Sequence, residues 1–287
     1  MKRTLQTEGI PRAVLLRFQQ DLARRAGEQP DSADRAWRRA ETARAAGDLD
    51  GAAEAYRACL ALAPDRLPAR RRLAVLQGHG LADHPDPADD RPAPFFLSRS
   101  VLSAAQMAAL WGIVTARQDE LEPSRMARNG EPRLLDTAYR QSLRMSGQGA
   151  RALLLPIVRD VIARHDLLRR FGLSPLTSDR VEVEIASHSD GHFLRVHRDR
   201  GDGAPDRALT FVFYFFQLPQ CFSGGDLLLH DTAADGEPRL LQATRLVVEH
   251  NSLVIFPADC WHQVLPVAGA DADPLKGRWT VHGWFHA

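Results

Sequence analysis

The sequence predicts an α+β protein: a small α-helical domain, then a β-sandwich or barrel covered on one side by helices. Three observations predict it. The first ~80 residues are rich in Ala, Arg and Leu and carry apolar positions at helical spacing, as in AVLLRFQQDLARR and AAEAYRACLAL. The stretch HGLADHPDPADDRPAP then crowds prolines and aspartates, which remove helix donors and favour turns. After Ser178 short apolar runs follow one another between turn residues. The domains expected are therefore 1–80 helical, 81–94 linker and 95–287 for the remainder.

Each element has a local reason. Residues Ala33 to Pro64 have small side chains at Ala40 and Ala52, a Gly47-Asp48 turn, Tyr56 to fill the gap between two antiparallel helices, and Pro64 to end the second. They resemble one tetratricopeptide repeat, although Arg39 stands where the repeat has a large apolar residue. Arg66 to Leu76 continues as a helix, with Arg70, Arg71 and Arg72 read as its solvated face. Ser103 before AAQMAALWGIV reads as an N-capped amphipathic helix, and Leu153 to Phe171 as a second helix ended near Gly172 and Pro175. The segments VEVEIAS, LTFVFYFF, DLLLH, LVVEH, SLVIF and WTVHGWF read as strands.

Composition bounds the function. With 287 residues and 44% hydrophobic content the chain can fill a core. Lys+Arg 37 against Asp+Glu 36 leaves a net charge of +1 with the basic residues scattered, so nucleic acid is not an expected partner. No apolar run approaches membrane-spanning length, and MKRTLQTEGIPRAV has no apolar core of signal-peptide length. Cys59, Cys221 and Cys260 form no CxxC pair, which argues against a disulfide framework or cysteine-bound zinc. The expectation is a cytoplasmic protein with no membrane association. Cys221, Cys260, Trp261, Trp279 and Trp284 are expected to be buried; Asp226 is expected to organise its turn; His192, His230, His250, His282 and His286 are read as surface or satisfied strand histidines.

The chemistry lies in the strand region. His197 and Asp199 are two apart at the end of a strand, so their side chains share a face. His262, after the buried-looking SLVIF strand, offers a third ligand from a distant segment. Two histidines and one carboxylate leave coordination positions open on a divalent metal, the arrangement of non-haem Fe(II) oxygenases. Arg278 begins the last strand with Thr280 and His282 on its face, and its planar fork suits a carboxylate. Tyr214 lies seven residues after Arg207, and Ser223-Gly224-Gly225-Asp226-Leu227 reads as a hairpin or bulge.

In this order, His-x-Asp, Arg…Thr-x-x-x-Tyr, Ser-Gly-Gly-Asp-Leu, Phe-Pro…Trp-His-x-Val-x-Pro-Val and Gly-Arg…Gly-Trp-Phe, the chain resembles the prolyl 4-hydroxylase-type family of 2-oxoglutarate and Fe(II)-dependent oxygenases over residues 93–287. The resemblance implies a double-stranded β-helix, or jelly roll, with supporting helices. It implies Fe(II) ligation by His197, Asp199 and His262, and 2-oxoglutarate held by Arg278 and Tyr214 with Thr280 in the same pocket. Dioxygen is the co-oxidant it implies, and it leaves room for ascorbate. Asp199 at the carboxylate position favours hydroxylation over halogenation. Where many members carry a tyrosine upstream of the first ligand, this chain has Ser187 or His188. The implied activity is hydroxylation of an unactivated C–H bond, on an amino-acid side chain such as prolyl in a protein or peptide engaged by the N-terminal helices. A free amino acid or small metabolite is the alternative substrate, and an inactive interaction scaffold the alternative of another class.

Overall fold

The computed structural model describes residues 12–26, 32–79, 90–128, 131–201, 203–269 and 273–287. Residues 81–89 of the expected linker lie outside them. The elements run α1 (Arg12–Ala26), α2 (Ala33–Ala46), α3 (Leu49–Leu62), α4 (Leu67–Leu76), β1 (Phe96–Arg99), α5 (Ala104–Ala116), β2 (Glu122–Pro123), β3 (Met126–Arg128), β4 (Glu131–Leu134), β5 (Arg140–Gln141), β6 (Leu143–Ser146), α6 (Gln148–Arg164) and α7 (Leu167–Arg170). They continue with β7 (Val181–His188), β8 (Phe193–His197), β9 (Arg207–Phe215), β10 (Ser223–Gly224), β11 (Leu227–Thr232), β12 (Pro238–Leu246), β13 (Ser252–Pro257), β14 (His262–Val264), β15 (Val267–Ala268) and β16 (Arg278–His286).

Two compact units result, Met1–Pro94 with Leu228–Leu246, and Phe95–Leu227 with Val247–Ala287. In the first, Ser32 caps α2 by accepting from the Arg35 N–H, and Gly47 at φ 82° closes it in the left-handed conformation that a helix C-terminus favours. Asp48 then caps α3. The two helices meet through Ala36, Ala40, Ala52 and Ala55, with Tyr56 wholly buried in their core. Their small side chains permit the close approach that the sequence reading required.

Two expectations are corrected in this unit. Arg70 is exposed, but Arg71 and Arg72 are buried, so α4 does not present these three arginines as one solvated face. Segment 228–246, expected within 95–287, clusters instead with the helices. One wholly buried carboxylate of this segment meets the helices: Asp231 accepts from Arg44 Nη1 at 2.7 Å and from Arg72 Nη2 at 2.6 Å. Glu41 completes the cluster, 2.9 Å from Arg44 and 3.1 Å from Arg72, and it also accepts from the Tyr56 hydroxyl. Burial works against its ionisation, yet the two guanidiniums and this hydroxyl hold it below the usual carboxylate range.

The second unit carries an antiparallel sheet in the order β1-β13-β9-β16-β7-β6-β2. Alternation along its strands separates two faces. Phe211, Phe213 and Phe215 of β9 and Trp279, Val281 and Phe285 of β16 pack in one core with Leu110 and Val114 of α5 and Leu154 and Val158 of α6. Thr210, Val212 and Tyr214, with Arg278, Thr280, His282 and Trp284, line a cleft instead. Within this unit β14, β8 and β5 pair in that order to form a second layer of strands. The expected jelly roll with supporting helices is borne out. Ser103 and Gln106 form a full capping box at the start of α5. The helix expected over 153–171 is broken: α6 ends at Arg164, and Asp166 at φ 49° turns the chain before α7.

Candidate active site

His197 and His262 face each other as partners across the β8–β14 pair, with ring centroids 4.0 Å apart. Each ring is fixed in the same way. Nδ1 of His197 lies 2.8 Å from the Arg195 carbonyl, and Nδ1 of His262 lies 2.9 Å from that of Cys260. A carbonyl only accepts, so each Nδ1 carries the proton and each Nε2 turns its lone pair outward, as a metal ligand requires. Asp199, just past β8, has its oxygens 3.6 Å from His197 Nε2 and 3.4 Å from His262 Nε2.

The three donors lie within 4.8 Å of one another and form a group that could hold a metal ion. Thr210, opposite on β9, donates to Asp199 Oδ2 at 2.7 Å and fixes its carboxylate. Burial alone would raise the Asp199 pKa; the His262 and His197 imidazoles and the Thr210 hydroxyl outweigh it and hold the group below the ordinary carboxylate range.

Arg278 sits at the start of β16, 1% exposed, with its guanidinium 4.9 Å from the Tyr214 ring. Its position depends on a residue with no side chain. A Cβ at Gly225, whose φ is 69°, would stand 2.6 Å from Arg278 Cδ and 2.9 Å from Val267 Cγ2, so only glycine accepts both the backbone and the neighbour. The adjacent β10 is held against β15. Asp226 does more than organise its turn: its carboxylate accepts from the Val248 N–H at 3.1 Å.

The Tyr214 hydroxyl, Arg278 Nε and His188 Nε2 are buried and lack hydrogen-bond partners. His188, where the resemblance leads one to look for a tyrosine, pairs across the sheet with Arg278, and its Nδ1 accepts from Arg278 Nη1 at 3.3 Å. Burial, with Arg278 and Arg140 beside it, keeps its pKa well below the imidazole range and the ring neutral. Ser187, the other position considered, is tied off on the Pro274 carbonyl. Thr280 pairs with Tyr214 across the strands and lines the same cleft, its hydroxyl 3.4 Å from His282 Nδ1.

All six residues singled out in the sequence therefore converge on one cleft. Leu194, Val212, Leu227 and Val264 supply its apolar wall, and the Phe256 ring packs 4.9 Å from His262. His282, a strand histidine partnered by Thr280 and Glu184, and Trp284, buried as expected, also line the cleft. Trp284 lies under the Arg207 guanidinium at 3.7 Å, and Arg207 pairs with Glu182 at 2.6 Å. Cys221 is exposed, contrary to expectation. Thr210 and Arg140 were missed. Parity would have found Thr210, four residues before Tyr214 on the same strand, whereas nothing around Arg140 marks it.

Residues 183–286 match the 2OG-Fe(II) oxygenase superfamily. An uncharacterized PKHD-type hydroxylase of Synechocystis sp. is 32% identical over 154 residues, 51% of this chain and 50% of that protein, so the match spans half the relative's length. A prolyl hydroxylase of Trichoplax adhaerens, solved with a peptide fragment of the hypoxia inducible factor oxygen degradation domain, is 19% identical with a TM-score of 0.50 over 67% of this chain and 83% of its own. A Pseudomonas putida prolyl-4-hydroxylase is 23% identical with a TM-score of 0.46, over 68% and 92%. The Trichoplax likeness shows the shared fold.

The residues of the cleft fit the cofactors of that superfamily. Asp199 lies 3.6 Å and 3.4 Å from the two Nε2 atoms, so two imidazoles and a carboxylate would hold one ion between them. The unpaired Tyr214 hydroxyl and Arg278 Nε leave donors for a dicarboxylate such as 2-oxoglutarate.

Proposed function

We propose that this protein is a 2-oxoglutarate- and Fe(II)-dependent dioxygenase that hydroxylates an unactivated C–H bond. The observation that carries the reading is the convergence of His197, Asp199 and His262 within 4.8 Å, in the cleft that also holds the buried Arg278.

The metal and cosubstrate, with dioxygen, supply the oxidising equivalents. This chain's residues do the holding. His197 and His262 present Nε2 because backbone carbonyls fix their tautomers, and Asp199 adds a carboxylate steadied by Thr210. Arg278 and Tyr214 grip the distal carboxylate of 2-oxoglutarate, with Thr280 beside them. Leu194, Val212, Leu227 and Val264 keep the reacting centre dry.

The substrate reading is an amino-acid side chain, prolyl or similar, in a protein or peptide. What supports it is the kinship with prolyl hydroxylases, one of them solved with a peptide. The helical unit would then engage that peptide, and three free cysteines agree with a reducing cytoplasm. No described helix is long and apolar enough to cross a membrane.

His197→Ala and Asp199→Ala should each abolish succinate formation from 2-oxoglutarate, with or without substrate, and lower Fe(II) affinity measured by equilibrium dialysis. Undiminished iron binding and turnover in both variants would overturn the ligand set.

A further inference from the structure

The cleft holds a second guanidinium that neither the metal ligands nor the grip on 2-oxoglutarate uses. Arg140 opens β5, pairs across the strands with Leu194 of β8, and points its side chain into the cleft. Its Nε donates to the Ser142 hydroxyl at 3.0 Å, and that hydroxyl is 2.7 Å from Ser124 Oγ, so the fork is held from behind. Its two terminal nitrogens have no hydrogen-bond partner among the described residues.

Two carboxylates act on it through space, Glu184 and Asp199, and both are engaged elsewhere. Glu184 is 3.1 Å from Arg144 and 3.7 Å from His282, and Asp199 belongs to the metal set. A guanidinium keeps its charge in a protein. Arg140 is half-buried in the cleft, and no anion contacts it among the described residues, so a carboxylate brought to it would be screened less than at the open surface.

We propose that Arg140 anchors a carboxylate of the primary substrate. The proposal rests on the oxygenase reading above. Both ends of 2-oxoglutarate are already accounted for, one by the metal and one by Arg278 with Tyr214. Arg140 enters from the other layer of strands, beside the strand that carries His197, and within electrostatic reach of Asp199. An anion held there keeps its neighbouring carbons near the metal set. With Nε held by Ser142, the end-on edge of the two terminal nitrogens is the shape that takes a carboxylate bidentately. The same chemistry has two sources: the carboxylate of a free amino acid or small acid, or an Asp or Glu side chain beside the target in a peptide.

The test uses the full chain loaded with Mn(II), which does not turn over, and 2-oxoglutarate. Calorimetric titration compares each free L-amino acid with its C-terminal amide, and blocked pentapeptides with and without one glutamate. A carboxylate-bearing probe should bind roughly 10- to 100-fold more tightly than its neutral counterpart, and the arm that responds identifies the source. Arg140→Gln should erase the difference, Arg140→Lys should keep part of it, and neither should change 2-oxoglutarate affinity.

The proposal falls if no carboxylate is preferred over its neutral counterpart, a result that needs no variant. It also falls if the preference survives Arg140→Gln, or if that variant weakens 2-oxoglutarate as Arg278→Met does. Failure of the wild-type protein to bind 2-oxoglutarate would instead remove the functional reading beneath it.

Discussion

Both units bury arginines, and they treat them in opposite ways. In the helical unit Arg44 and Arg72 are each in contact with Asp231 and Glu41, so two cations meet two anions. In the second unit Arg278 is buried as deeply, yet its contacts are a tyrosine ring and a neutral histidine, with the Asp226 carboxylate acting on it only through space. A buried charge whose counter-charge lies in the fold serves the fold. One whose counter-charge is missing marks where a ligand completes the structure. The contrast separates a structural ion cluster from a binding site when burial alone cannot.

The largest expected effect tests the first half of this contrast. Asp231→Ala strands two buried guanidiniums and should cost about 3–5 kcal/mol in urea denaturation. Replacing Arg44, Arg72, Asp231 and Glu41 together by apolar residues of similar volume should cost far less. An equal cost for both designs would show that the cluster's charges are irrelevant.

Arg278→Met tests the second half. It should cost only about 1–2 kcal/mol of stability, the loss of the single hydrogen bond to buried His188 Nδ1, while 2-oxoglutarate affinity falls roughly 100-fold. The measurement is an anaerobic titration of the visible charge-transfer absorption of the Fe(II) complex; a stability loss without a change in affinity would make Arg278 a structural residue. Gly225→Ala should act through the same arginine. The new Cβ would meet Arg278 Cδ at 2.6 Å, so affinity should fall about tenfold, with about 1 kcal/mol of backbone strain.

The smallest effect is on pH dependence. Burial pushes His282 down to about 4, with Glu184 opposing and Arg140 reinforcing. Between about 4 and the ordinary imidazole value of 6.5 the unfolded chain binds the proton that the folded one refuses, so stability rises with pH across that window. Its contribution is complete above the window and lost as pH falls through it. In the metal-free protein His282→Gln should flatten this part of the stability profile, and an unchanged slope would place the titration elsewhere.

Much of the site was legible because its signals are local. The two-residue spacing of His197 and Asp199, and the parity of Arg278, Thr280 and His282, survive into the structure since a strand of period two fixes which face a side chain takes. The same parity applied to β9 reaches Thr210. Arg140 was not legible, because its place depends on β5 pairing with β8 more than fifty positions along the chain. Arg71 and Arg72 were misread for a similar reason: a charged run on a helix is solvated unless something distant covers it, and the carboxylate that meets Arg72 is 159 residues away.

The sequence by itself determined the element types, the helical N-terminal part, and the order of residues able to bind a metal and a diacid. Those properties follow from spacing, turn residues and side-chain chemistry within a few positions. Only the tertiary structure decided which buried charges cancel, how segment 228–246 groups with the helices, and that a second arginine enters the cleft. These depend on which strands become neighbours, and the free energy of a buried charge is set by what stands a few ångströms away in space, whatever its distance along the chain.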